Sequence, residues 1–188
     1  MKKIISFIAV LTAMLFVGCG SAIPVPAEKQ ALIDNSTVLY SKVSMWTERN
    51  RIDGTNYPVG IHLPINTEVK ILAVNAKVIT LQINGEKISY LTSIRNTKVD
   101  SIAMIDRLFS KTKTNLSNHS PATIENINNG VVAIGMTREE VIFARGYPPF
   151  SRTLNVESNK WVYMRNRWIS ALVTFKDGKV SAIKGSVS

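Results

Sequence analysis

The sequence predicts an α+β protein: a small β-barrel, a connecting helix, and then a module of two helices with a three-stranded antiparallel sheet. Three observations carry that prediction. Between Thr67 and Leu91 apolar residues alternate with polar ones on either side of an Asn84-Gly85 pair, the pattern of half-buried strands joined by a tight hairpin. From Val99 to Phe109 the apolar residues recur at spacings of three and four, which puts one stripe on a helix. Thr137 and Glu140 stand three apart before an apolar run, the signature of a capping box at a helix start.

The chain opens with Lys2 and Lys3, an apolar run from Ile4 to Val17, and small Gly18. Those are the parts of a secretory signal in the order that export requires. The apolar run falls short of the roughly 20 residues that span a bilayer core. Phe16-Val17-Gly18-Cys19 resembles the lipobox of bacterial lipoproteins, with Phe16 where that family usually has Leu. The resemblance implies cleavage after Gly18, acylation of the Cys19 thiol, and a mature chain held stably on the membrane, because more than one acyl chain is needed for stable anchoring. Cys19 is the single cysteine. An exported chain with one cysteine forms no internal disulfide, and lipidation gives that residue a use.

Residues 1–18 are thus expected to be the signal and residues 19–36 an anchor and extended tether, with Pro24 and Pro26 and little periodicity. Gly20 and Ser21 follow the anchor with no Asp to retain the protein at the inner membrane, so the expected location is the outer membrane, facing the periplasm. Loss of Lys2 and Lys3 lowers the net charge from +10 to +8. A basic balance suits nucleic acid, anionic lipid or an acidic partner. Export disfavours nucleic acid, and no like-charge run exceeds two residues. Most of these charges are expected on solvated faces of strands and helices, and among partners anionic headgroups near the anchor are favoured over nucleic acid.

Residues 37–96 read as the barrel. Val38-Leu39-Tyr40 opens a strand, and Arg51 to Gly60 is turn-rich through Asp53-Gly54 and Tyr57-Pro58. Thr67 to Val74 places Val69, Ile71 and Ala73 on one face, and Lys77 to Ile83 does the same with Ile79, Leu81 and Ile83. Pro64-Ile65-Asn66-Thr67-Glu68-Val69-Lys70-Ile71 resembles a bacterial SH3-like barrel. That resemblance implies binding of peptide or cell-wall material, with Tyr40, Trp46 and Tyr57 as candidates, although barrel cores also use aromatics.

Residues 97–120 are the connector, a helix ended by the polar stretch from Lys111 to Ser120. Residues 121–188 form the last module. Ile124, Ile127 and Val131 mark a first helix stopped at Gly130. The second helix is capped by Thr137, buries Val141, Ile142 and Ala144, and ends at Gly146 in left-handed geometry before Pro148-Pro149. Strands follow at Trp161 to Met164, Trp168 to Phe175 and Lys179 to Lys184, with a tight turn at Arg165 to Arg167 and another at Asp177-Gly178.

Gly135, Met136, Thr137, Glu140, Val141, Gly146, Pro148, Trp161, Tyr163 and Phe175, in that structural order, resemble the BamE-like (SmpA/OmlA) outer-membrane assembly lipoproteins over about Thr123 to Lys184. The resemblance implies a lipid-anchored scaffold in the machinery that inserts β-barrels. That family's typical member has no barrel before this module, so a BamE-like module within another envelope lipoprotein is the expectation. The layered fold also resembles secreted β-lactamase-inhibitor modules, and fold alone does not give function.

Chemistry finds little purchase in the sequence. His62 and His119 have no cysteine or carboxylate at metal-ligand spacing. No Gly-x-Ser-x-Gly nucleophile motif and no phosphate-cradling glycine loop occurs. The expectation is a non-enzymatic binding or scaffold module without metal or cofactor. Its partners are envelope proteins, with anionic lipid or peptidoglycan as further ligands; a cell-wall binder and an inhibitor of a periplasmic enzyme are the alternatives. Candidate binding residues are Arg165, Arg167 and Trp168 at the hairpin, with Tyr147 and Phe150 beside the prolines, because Arg and aromatic residues dominate binding hot spots.

Overall fold

The computed structural model describes residues 22–166 and 168–185. The signal segment, Cys19 and Arg167 lie outside the described residues. The first element corrects the sequence reading. Where an extended tether is expected, Ala27–Asp34 is a helix, α1. Ala, Glu, Lys and Gln are good helix formers, and the segment is docked by contacts far away in sequence. The Lys29 ammonium donates to the Asp106 carboxylate and lies 3.1 Å from Glu28, while Leu32 and Ile33 pack against the first core. Eight residues with so little amphipathic contrast carry no periodicity to read.

The alternating segments form strands as the sequence predicts, but in place of the expected closed barrel they build an open, curled sheet. β1 (Leu39–Ser41), β2 (Met45–Thr47), β3 (Arg51–Asp53) and β4 (Ile61–Leu63) are short. β5 (Glu68–Val74), β6 (Val78–Ile83) and β7 (Glu86–Leu91) are longer and pair antiparallel. Asn84 and Gly85 both have positive φ, 51° and 84°, as their hairpin requires. After α2 (Ile94–Thr97) and α3 (Ser101–Leu108) comes β8 (Phe109–Ser110). These strands build a six-stranded sheet in the order β3-β7-β6-β5-β1-β8, curled into a half-barrel; β3 pairs parallel to β7. β2 and β4 stand apart as a two-stranded sheet.

Val69, Ile71, Ile79, Leu81 and Ile83 are all buried on one face. Ala73 is not: a bulge between Ile71 and Ala73 breaks the alternation and turns it outward. The helix stripe also shifts. Met104, Ile105 and Leu108 are buried on α3 while Ile102 is half-buried. With Phe109 they close the first core, so the connecting helix is part of what it connects. Each such side chain contributes about 2 kcal/mol on burial.

The second core gathers α4 (Pro121–Asn128), α5 (Arg138–Arg145), β9 (Lys160–Met164), β10 (Ser170–Lys176) and β11 (Lys179–Lys184). The three strands form a meander in the order β11-β10-β9. Trp161, Tyr163, Val173 and Phe175 are buried in it. The capping box is complete: Thr137 Oγ1 accepts from the Glu140 N–H at 3.2 Å, and Glu140 Oε2 accepts from the Thr137 N–H at 2.6 Å. Gly146 departs from the expected left-handed helical geometry. Its φ of 74° with ψ of −174° lies in an extended region essentially reserved for glycine.

β2 and α5 join the two cores. Ser44 N–H donates to Phe143 O at 2.9 Å, and Ser44 Oγ donates to Ile127 O at 3.3 Å. Ile65, from the loop before β5, is buried in the second core, and Ile142 packs on both. The stretch from Lys111 to Ser120 is held by reciprocal bonds between the Asn66 side chain and the Thr114 backbone at 3.0 and 2.7 Å.

Thr137→Ala removes half of the capping box and should lower stability by about 1 kcal/mol in denaturant unfolding; no change would place the start of α5 elsewhere. Limited trypsin digestion should cut first at exposed Lys111. First cuts at Lys70 or Lys87, inside the sheet, would contradict the strength assigned to the half-barrel.

Candidate functional site

The β9–β10 connection is longer than the sequence suggests. Strand pairing ends at Met164 and Ser170, because the Asn166 side chain captures the chain first. Asn166 Oδ1 accepts from the N–H groups of both Trp168 and Ile169, each at 2.8 Å. The N–H groups of Arg165 and Asn166 donate to Ile169 O at 2.8 and 3.3 Å. This side-chain mimic of a turn presents Trp168 at 85 % exposure and Ile169 at 49 %, beside exposed Arg165. Ile169 and Asn166 escape the sequence reading. The signal for Asn166 is local: an Asn in a turn is placed to accept from the N–H groups two and three residues on, here those of Trp168 and Ile169.

Tyr147 and Phe150 are used elsewhere. The Arg107 guanidinium stacks 4.5 Å from the Tyr147 ring and donates to Thr97 O at 2.9 Å. Phe150 N–H donates to Asn96 O at 2.6 Å, and the Lys98 ammonium stands 4.9 Å over the Phe150 ring. Both aromatics therefore fasten the segment after α5 onto α2 and α3. Among the described residues, no hydrogen bond or ring contact joins them to the hairpin tip. Tyr147 lines a small, shallow cleft with Met45, Asn56, Tyr90, Arg107 and Pro148.

Of the three barrel aromatics, Tyr40 and Tyr57 are half-buried, with the Lys113 ammonium 5.2 Å from the Tyr40 ring. Trp46 is only 8 % exposed on β2. One neighbour is the His62 ring, 4.8 Å away between centroids; the other is the Arg145 guanidinium at 4.5 Å. Arg145 is 1 % exposed and also lies 5.4 Å from the Tyr163 ring. Among the described residues no carboxylate pairs with it. Burial pushes its pKa down to about 10, so it stays a cation at neutral pH. Asn56 closes the arrangement: its Nδ2 donates to Ser44 O and Arg145 O, both at 2.9 Å, and its backbone O accepts from Arg145 Nη1 at 3.4 Å. Thr47 Oγ1, Asn56 Oδ1, His62 Nε2 and Arg145 Nε find no protein partner. Arg145 escapes the sequence reading, because an arginine in the last turn of a helix complements the dipole and carries no local sign of burial.

His119 Nδ1 lies 2.7 Å from Glu140 Oε1, which ties the loop before α4 to the capping box. Burial alone would raise the Glu140 pKa, but the Thr137 N–H and His119 outweigh it and hold the carboxyl below its ordinary range. Among the described residues no group of three or more His, Cys, Asp or Glu side chains is placed to hold a metal ion. No helix among them is long and apolar enough to cross a membrane.

Burial, with a smaller contribution from the Arg145 charge, holds the His62 pKa below its ordinary 6.5. A base depressed in the folded state binds fewer protons than in the unfolded chain. Its contribution to stability is therefore present above 6.5 and is lost as pH falls toward the folded pKa. The melting temperature should fall as the pH drops below about 6.5, and His62→Gln should flatten that fall. An equally steep profile in the variant would assign the acid sensitivity to another group.

No family model, no curated protein and no solved structure matches this chain.

Proposed function

We propose that this chain is a lipid-anchored protein of the bacterial envelope, attached through Cys19, whose folded body acts by binding rather than by catalysis. The observation that carries the binding reading is the hairpin tip. A large aromatic and an aliphatic side chain stand in solvent on a turn whose own hydrogen bonds already fix it. Large exposed apolar groups on a preorganised loop favour binding, because little conformational freedom remains to be lost on contact. Trp46 and Arg145 are engaged with each other, and His119 with Glu140. The order α4, α5, β9, β10, β11 supports a BamE-like reading of the last module, and the curled sheet supports an SH3-like reading of the first. Together they favour a scaffold on the periplasmic face of the outer membrane that contacts other envelope proteins.

The anchor and the tip have separate tests. Cys19→Ala should shift the protein from the membrane fraction to an unprocessed or soluble form. Unchanged fractionation and migration would end the lipoprotein reading. A photo-cross-linking residue at Trp168 should capture an envelope component that the same residue at exposed Lys111 does not. Identical capture at both positions would remove the tip as the binding site.

A further inference from the structure

The tip has a property that entry into lipid requires, since hydrocarbon offers no acceptor to a backbone N–H. The described N–H groups at the turn, those of Arg165, Asn166, Trp168 and Ile169, are all satisfied within the turn, by Ile169 O and Asn166 Oδ1. A loop that enters the boundary between headgroups and acyl chains leaves water, and each unpaired donor carried there costs several kcal/mol. This turn carries none of those donors unpaired. It also bears the matching side chains. Trp favours the membrane interface, where its ring meets hydrocarbon and its N–H meets water. Ile169 adds aliphatic surface. Exposed Arg165 lies beside them and can meet phosphate oxygens with a planar fork of donors.

The position of the body agrees. With α1 folded and docked, the chain between Cys19 and Ala27 is all that can extend, and eight residue steps reach at most about 28 Å. An anchored body is thus held close to the bilayer, and its net charge attracts it toward anionic lipid.

We propose that Trp168 and Ile169 insert into the interface of the membrane that carries the anchor, with the Arg165 guanidinium on a lipid phosphate. The inference rests on the lipid-anchored reading above and names the occupant of the same tip. Insertion fixes the body at a second point, so that it stands in one orientation on the membrane instead of swinging about its anchor.

Intrinsic fluorescence reads this directly, because Trp46 and Trp161 are buried and the emission open to an aqueous quencher comes from Trp168. The lipidated full-length protein is reconstituted in phosphatidylethanolamine–phosphatidylglycerol vesicles and compared with the unlipidated Cys19→Ala form in buffer. Acrylamide quenching of the accessible emission should fall several-fold in vesicles. Phosphatidylcholine brominated in its upper acyl chain, mixed into the vesicles, should quench that same emission. Trp168→Phe should abolish both effects, and Arg165→Glu should restore part of the acrylamide access. Acrylamide access equal in vesicles and buffer would overturn the insertion. If a cross-linker at Trp168 then captures an envelope protein, the occupant is that protein and the binding reading survives. If it captures nothing specific, both readings fall together.

Discussion

Arg145 is a buried cation with no carboxylate partner among the described residues, held between the faces of Trp46 and Tyr163 where the two halves of the fold meet. Trp46 lies on β2 of the first half and Tyr163 on β9 of the second. The arginine itself ends α5, so one side chain touches three elements that share no hydrogen-bonded sheet. Taking a charge out of water is expensive, and here the compensation comes from two ring faces and backbone oxygen rather than from an ion pair. Such an arrangement tolerates little displacement. Two glycines show how little. A Cβ on Gly130 would come within 2.6 Å of the Trp46 ring, and one on Gly146 within 2.8 Å of Asn56 Nδ2. Both have positive φ, so both the backbone conformation and the space require glycine.

The seam also explains what was legible in the sequence. Elements with a repeat long enough to count stand where the pattern places them: β5 to β7 from their alternation, α3 from its stripe, α5 from its capping box. The three-residue strands β2 and β4 do not. All three residues of β2 are buried, Met45 in the first core and Trp46 against Arg145 and His62, and an element covered on both faces shows no alternation. The cap at Thr137 is visible because both partners are three residues apart. Arg145 with Asn56 is invisible because 89 positions separate them.

The site divides in the same way. Trp168 and Arg165 could be named from residue type and their place beside a turn. Tyr147 and Phe150 have the same types and the same neighbourhood of prolines, yet Arg107 and Lys98 take their faces. Composition identifies residues able to bind; only packing shows which are already occupied. The helix α1 is the complementary case. A proline-bearing, unpatterned stretch reads as tether, and a lysine that meets an aspartate 77 positions away makes half of it part of the body.

That docked helix changes what a pull on the proposed anchor would do. Drag on a body tied to a membrane by its N-terminal end enters the fold through α1 before it reaches any sheet. The Lys29–Asp106 pair and the packing of Leu32 and Ile33 hold the helix, whereas the half-barrel is held by the ladders of several paired strands. Unwinding its eight residues from 1.5 to about 3.4 Å each lengthens the leash by about 15 Å. On the lipid-anchored reading proposed above, α1 would thus set two lengths for the leash, a short one while it is docked and a longer one once it is drawn out.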